Sequence, residues 1–250
     1  MDAGIMKHLI TFAIVAAILC SCSPRITNNV VFSKEELKTI DEVLVIDYGV
    51  APADAQLLGT IRVGDTGFST KHRGSYERVI TIVKEQARKS GGNIVHITSH
   101  RNPGGFSRIH RITADIYYKD GLSVLHPAPA DAPDHPDYAS IFLYRTDGNT
   151  GSHTDYIVYL NNTGVYRCFK SSSAEIRVPD ARDVTIWAKK RTRAEVSFKV
   201  EPGKDYYVNC SVIPGTITNN PAFQVVDALI AKDQFLFTDY NTIVTLGKQK

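Results

Sequence analysis

The chain has 250 residues, of which 43% are hydrophobic and 22% charged, with a net charge of +3. The apolar fraction is enough for a packed core and fits an ordinary globular protein. The small positive excess is no electrostatic footprint for nucleic acid, so no nucleic-acid partner is expected.

Leu9 to Leu19 is almost wholly apolar and follows Lys7. A spanning helix needs about 20 apolar residues, so this shorter run reads as a secretory signal over residues 1–21. It closes on Leu19-Cys20-Ser21-Cys22, a large apolar residue at −3 and a small one directly before a cysteine. These four residues resemble the lipobox of bacterial lipoproteins. The resemblance implies cleavage before Cys22, which then carries a thioether-linked diacylglycerol and an N-linked acyl chain of the palmitate kind. Two or more chains anchor stably where one myristoyl chain binds only marginally. Ser23 at the next position implies the outer membrane, and the absence of an acidic cluster after Cys22 favours its periplasmic face.

Residues 22–41 read as a lipidated tether, polar and aperiodic from Ser23 to Val31, with a short helix near its end. Ser33-Lys34-Glu35-Glu36 matches a capping box, in which serine and glutamate satisfy each other's free amide donors at a helix start. Glu42 to Tyr48 and Gln56 to Val63 then read as strands. From Ser75 to Ser90, Tyr76, Val79, Ile80, Val83 and Ala87 recur at helical spacing, and Gly91-Gly92 ends the helix. Asn93 to Ser99 and Arg108 to Tyr118 are predicted strands. Asp120-Gly121 predicts a tight hairpin into Leu122 to Leu125. Residues 42–125 are therefore expected to form a small α+β domain, ordered strand-strand-helix-strand-strand.

Residues 126–137 hold four prolines. Such chain is extended at about 3.1 Å per residue and reads as a linker between domains. Residues 138–250 are predicted as an all-β sandwich: short strands at Ile141–Arg145, Tyr156–Leu160, Val165–Phe169, Val184–Ala188, Val196–Val200 and Tyr206–Ile213 alternate with turn signals. Pro202-Gly203 suits the centre of a type II turn. The stretch from Pro221 onward is apolar and fits either strand or helix.

The segments IFLYR (from Ile141), YIVYLNN (from Tyr156), TIWAKK (from Thr185) and VEPGKDYYV (from Val200) resemble an uncharacterised domain family of bacterial lipoproteins and secreted proteins. That resemblance implies a prealbumin-like sandwich and no particular activity. Gly91-Gly92-Asn93-Ile94-Val95 after an amphipathic helix, with ITADIYY on a following strand, resembles the small domains of Rcs-type stress-sensor lipoproteins and of small heavy-metal-binding proteins. The cysteines such sensors bond are absent from this domain.

Several side chains are candidates for chemistry. His96 and His100 fall four apart on one predicted strand, hence on one face, and His110 heads the next; His72 precedes the helix. Three imidazoles can ligate Zn²⁺ or Cu²⁺. Against this, no acidic residue or cysteine stands at ligand spacing between them, and Arg101, Arg108 and Arg111 repel a cation. Those three arginines and Phe106 suit an anionic partner instead, because guanidinium forks match phosphate and carboxylate. Lys189 to Arg193 (KKRTR) is a second basic run. Cys168 and Cys210 are the pair left after Cys22, and an oxidising compartment permits a disulfide between them. No nucleophile elbow, zinc-protease, P-loop or dinucleotide motif is present, and Ser152-His153 are merely adjacent. The sequence thus predicts a lipid-anchored envelope protein without cofactor, a non-catalytic interaction or scaffold module for a protein or glycan partner. The alternatives are a metal- or stress-sensing lipoprotein and an enzyme without a linear motif.

Overall fold

The computed structural model describes residues 25–30, 40, 42–64, 75–104, 109–148, 151, 153–215 and 218–247. Cys22, the capping box at Ser33, His72, Phe106, Arg108 and Ser152 lie outside the described residues. So does all of the expected helix after Ser33 except Ile40.

The first unit is a mixed sheet with one helix. Its strands are β1 (Arg25–Asn28), β2 (Leu44–Asp47), β3 (Gln56–Gly64), β4 (Ile94–Arg101) and β5 (Arg111–Tyr118), in the spatial order β1-β3-β5-β4-β2. Neighbours are antiparallel except β2 and β4, which are parallel. Helix α1 (Tyr76–Lys89) starts at Ser75, whose side chain accepts the Arg78 amide, and carries Arg88 and Lys89 in its last turn, where the dipole favours them. Gly92 ends it by donating its amide to the Ala87 carbonyl at 2.8 Å. A side chain at Gly92 would come within 2.3 Å of Ile116 Cγ2, so only glycine lets the helix end lie this close to β5. Val79, Val83 and Ala87 are buried against Ile61, Val95, Ile97, Ala114 and Ile116. Each aliphatic side chain so buried contributes about 1.5–3 kcal/mol.

Two expectations for this unit give way. Arg25–Asn28 is not part of a tether: it pairs antiparallel with β3, from Arg25 against Gly64 to Asn28 against Ile61, and so covers the open edge of β3. Leu122–Leu125 is not a strand. β5 is already flanked by β3 and β4, so a hairpin partner has no free edge to join. The chain turns at Gly121 (φ 73°), and Leu122 and Val124 pack into an apolar cluster instead.

The second unit is a β-sandwich. One sheet has the order β14-β13-β7-β10-β15, formed by β7 (Ala139–Arg145), β10 (Ser172–Val178), β13 (Lys204–Ile213), β14 (Asn220–Val226) and β15 (Tyr240–Thr245), and the short β6 (Ala130–Asp131) pairs with β13. The other has the order β12-β11-β8-β9, from β8 (Tyr156–Leu160), β9 (Thr163–Cys168), β11 (Arg182–Lys189) and β12 (Arg193–Val200). Alternate residues of both sheets, among them Ile141, Leu143, Val158, Ile176, Ile186, Val208 and Val212, enclose one core. The residues after Pro221 resolve into β14, a helix α2 (Ala228–Leu236) and β15, which lies parallel to β10 at the sheet edge.

Helix α2 lies between the two units. Ile230, Ala231 and Phe235 share an apolar cluster with Leu44, Ile46, Ile94 and Tyr117 of the mixed sheet and with Phe142, Tyr144 and Tyr207 of the sandwich. The proline-rich segment runs along the sandwich and is not a free spacer. Ala132 donates its amide to the Gly203 carbonyl (2.9 Å), Ala128 donates to Asp227 Oδ2 (3.1 Å), and His135 Nε2 lies 3.0 Å from Asp205 Oδ1.

Candidate functional site

The pleat of the mixed sheet sends Ile61, Val63, Ile112 and Ala114 toward α1, so Arg62, Arg111 and Thr113 project from the opposite face. On β4 a register shift between Ile97 and Ser99 adds one residue to the strand. Before it, Val95 and Ile97 face the helix; after it, Ser99 pairs with Thr113 and Arg101 with Arg111 on the far face. A bulge re-aims every side chain beyond it. Without it Arg101 would point toward α1.

The result is an open groove of about 560 Å³ lined by Thr27, Arg62, Gly64, Ser99, Arg101, Arg111 and Thr113, among others. Arg62 and Arg101 are exposed, Arg111 is half-buried, and among the described residues the groove lining holds no carboxylate. Arg111 Nε is buried with no hydrogen-bond partner among the described residues. Arg101 and Arg111 stand directly opposite across the β4–β5 ladder, an arrangement of like charges that destabilises a sheet. Among the described residues these three guanidinium groups have no counter-charge in the lining, and guanidinium forks match anions with several oxygens.

Arg62 escaped the sequence analysis. The signal was present in the alternation Ile61-Arg62-Val63, which puts a charge on an outer face, but its neighbours there are set by strand pairing. The second basic run is differently disposed: in the β11–β12 hairpin Arg193 lies over the Trp187 ring at 4.4 Å and pairs with Glu195 at 2.7 Å.

The same bulge separates the histidines. His100 and His110 lie on the helix side, with His100 Nε2 2.8 Å from His110 Nδ1 and ring centroids 5.1 Å apart. The Tyr76 ring rests against both, at 5.1 and 5.7 Å. The His100 amide donates to Tyr48 Oη at 2.7 Å, from a tyrosine held at φ 61°. Burial, and then the neighbouring His110, push the His100 pKa down to about 4; burial also lowers His110. His96 is on the opposite face, its ring 6.4 Å from that of Tyr117, and burial pushes its pKa down. The nearby Gly49 and Tyr48 backbones oppose that shift, yet neither ring nitrogen has a partner at hydrogen-bond geometry among the described residues. Thus two of the three imidazoles meet and the third does not. Among the described residues no three histidine, cysteine, aspartate or glutamate side chains are grouped to hold a metal ion.

Cys168 on β9 and Cys210 on β13 come from facing sheets into one core, and both are free and fully buried. Cys168 Sγ lies 3.8 Å from the Cys210 carbonyl oxygen, and Cys210 Sγ lies 3.7 Å from that of Val208. Burial raises the Cys210 pKa, which disfavours the nucleophilic thiolate.

No helix among the described residues is long and apolar enough to cross a membrane. The chain matches no family model, no curated protein and no solved structure.

Proposed function

We propose that this chain is a lipid-anchored protein of the bacterial cell envelope that acts as a non-catalytic interaction module, held by acyl chains on Cys22 at the periplasmic face of the outer membrane. The observation that carries the interaction reading is the groove of Arg62, Arg101 and Arg111, whose described lining is cationic and holds no carboxylate. The polar side chains of its described lining are guanidinium and hydroxyl groups, suited to holding an anionic partner rather than to moving protons. The sandwich is the supporting unit, and we assign it to the prealbumin-like class. The four segments that carry that resemblance fall on β7, on β8 and its turn, on β11, and on the β12–β13 connection.

The anchor and the module are tested separately. Metabolic labelling with a fatty-acid analogue should tag the wild type and not Cys22→Ser; label on both proteins would remove the anchor. Crosslinking in cells followed by affinity isolation should recover neighbours from the wild type that are lost from the Arg62→Gln, Arg101→Gln, Arg111→Gln triple variant. Identical recoveries would remove the groove from the function.

A second reading, envelope sensing, is favoured by the contact of His100 with His110, two imidazoles that burial holds neutral. Its test is the acid response described in the Discussion.

A further inference from the structure

The arginine groove and the first strand lie at one end of the mixed sheet. Arg25 pairs with Gly64, and the Gly64 Cα faces the Arg111 side chain so closely that an added Cβ would stand 3.2 Å from Arg111 Cγ. Arg111 in turn pairs with Arg101. The opposite end of the same face, at Ile94 and Tyr117, is covered by α2 and the sandwich. Among the described residues the arginine end of this face is open.

Three residue steps separate Arg25 from Cys22. Three steps reach at most about 10 Å even when fully extended. Acyl chains on Cys22 would therefore enter the bilayer beside the groove, and the polyanion nearest to Arg62, Arg101 and Arg111 would be the layer of lipid phosphates around the anchor. At about 0.15 M salt the Debye length is about 8 Å, so charges this near a surface still feel it. A tethered contact also forms at high effective concentration, which lets individually weak ion pairs add to the anchor.

We infer that the face bearing Arg62, Arg101 and Arg111 docks on the phosphate headgroups of the membrane that holds the Cys22 anchor, setting the mixed sheet against the bilayer and the sandwich away from it. This rests on the lipoprotein reading for the position of the membrane and names the anion of the groove proposed above. The bulge in β4 then serves docking by bringing Arg101 to the same face as Arg111. Arg111 Nε, buried and unpartnered among the described residues, is an unused donor on the wall of the groove.

The test uses the chain from residue 22 onward with Cys22→Ser, which keeps every described residue and has no lipid of its own. Co-sedimentation with vesicles of 30% phosphatidylglycerol in phosphatidylcholine should show binding that weakens as salt rises and is far weaker with phosphatidylcholine alone. Each arginine near an anionic surface is worth about fivefold in partition, so Arg62→Gln, Arg101→Gln and Arg111→Gln together should lower binding roughly a hundredfold. Lys190→Gln with Arg191→Gln, on the sandwich, should leave it unchanged. Equal binding by the triple variant overturns the proposal. So does binding of a soluble acidic glycan with no binding to vesicles, which would give the groove to a glycan. Labelling of Cys22 with no vesicle binding sinks the docking and spares the anchor; vesicle binding without labelling does the reverse.

Discussion

The side-chain amide of Gln234 closes both hydrogen bonds of Val50, a residue of the other unit. Val50 donates its amide to Gln234 Oε1 at 3.2 Å, and Gln234 Nε2 donates to the Val50 carbonyl at 2.7 Å. Gln234 is 1% exposed, so its amide has no water to fall back on. Thr146 adds a further bond between the units, from Oγ1 to the Asp47 carbonyl at 2.9 Å.

Gln234→Ala is expected to cost about 1–3 kcal/mol, since it leaves two backbone groups without partners. Gly49→Ala should act at the same contact: φ is +85° there, and a Cβ would come within 2.2 Å of Gln234 Oε1. Chemical denaturation of both variants measures this. A loss below about 0.5 kcal/mol in each would mean that the contact does not hold the units together.

Arg101→Gln is expected to stabilise the protein in the absence of a ligand. It removes one of two like charges facing each other across β4 and β5, worth about 0.2–1 kcal/mol. The gain should shrink as salt rises. Melting temperatures at low and high ionic strength decide the point, and a lower melting temperature at low salt would show that Arg101 is paired.

The histidine pair should make stability fall with acid. The folded pKa of His100 is about 4 against an ordinary 6.5, because burial and His110 disfavour its charge. Between those values the unfolded chain binds a proton that the folded chain refuses. The contribution is therefore complete above about pH 6.5 and is lost as pH falls toward 4, up to about 3 kcal/mol. His110 shifts in the same direction. His100→Gln should flatten the wild-type decline over that window, whatever the carboxylates add to both proteins. Parallel profiles for the two would remove the pair from the acid response.

Cys168 and Cys210 are fully buried and free, so in the chain from residue 22 onward with Cys22→Ser a thiol reagent should find none in the native protein and two after denaturation. Cys210→Ser, which sets a hydroxyl in the sandwich core, should cost about 1–3 kcal/mol. No thiols after denaturation, with a mass lighter by two hydrogens, would mean that the two sheets are bonded.

Local patterns carried much of the architecture. Helix α1 and its cap were legible because spacing, Ser75 and the glycine stop agree within one segment. The polar start of β10 hid that strand, because Ser172 and Ser173 carry no apolar strand signal. In the fold Ser172 is satisfied by Phe169, donating to its carbonyl and accepting its amide. What depends on pairing was not legible. The added residue at Thr98 has no local signature, so alternation placed His96 and His100 on one face and could not bring Arg101 beside Arg62. Likewise α2 is apolar toward both units, which erases the one-sided period by which a surface helix is recognised.

The placement of α2 also bears on how the chain acquires its fold. Synthesis runs from the N-terminus, and the mixed sheet is complete once β5 has emerged. The cover of its face at Leu44, Ile46 and Ile94 is complete only with residues 228–236. Until then part of an apolar surface is exposed on the growing chain, the kind of surface on which half-made proteins aggregate. A product truncated after Val226 would carry that surface permanently. Helix α2 completes the burial of the first unit's apolar face.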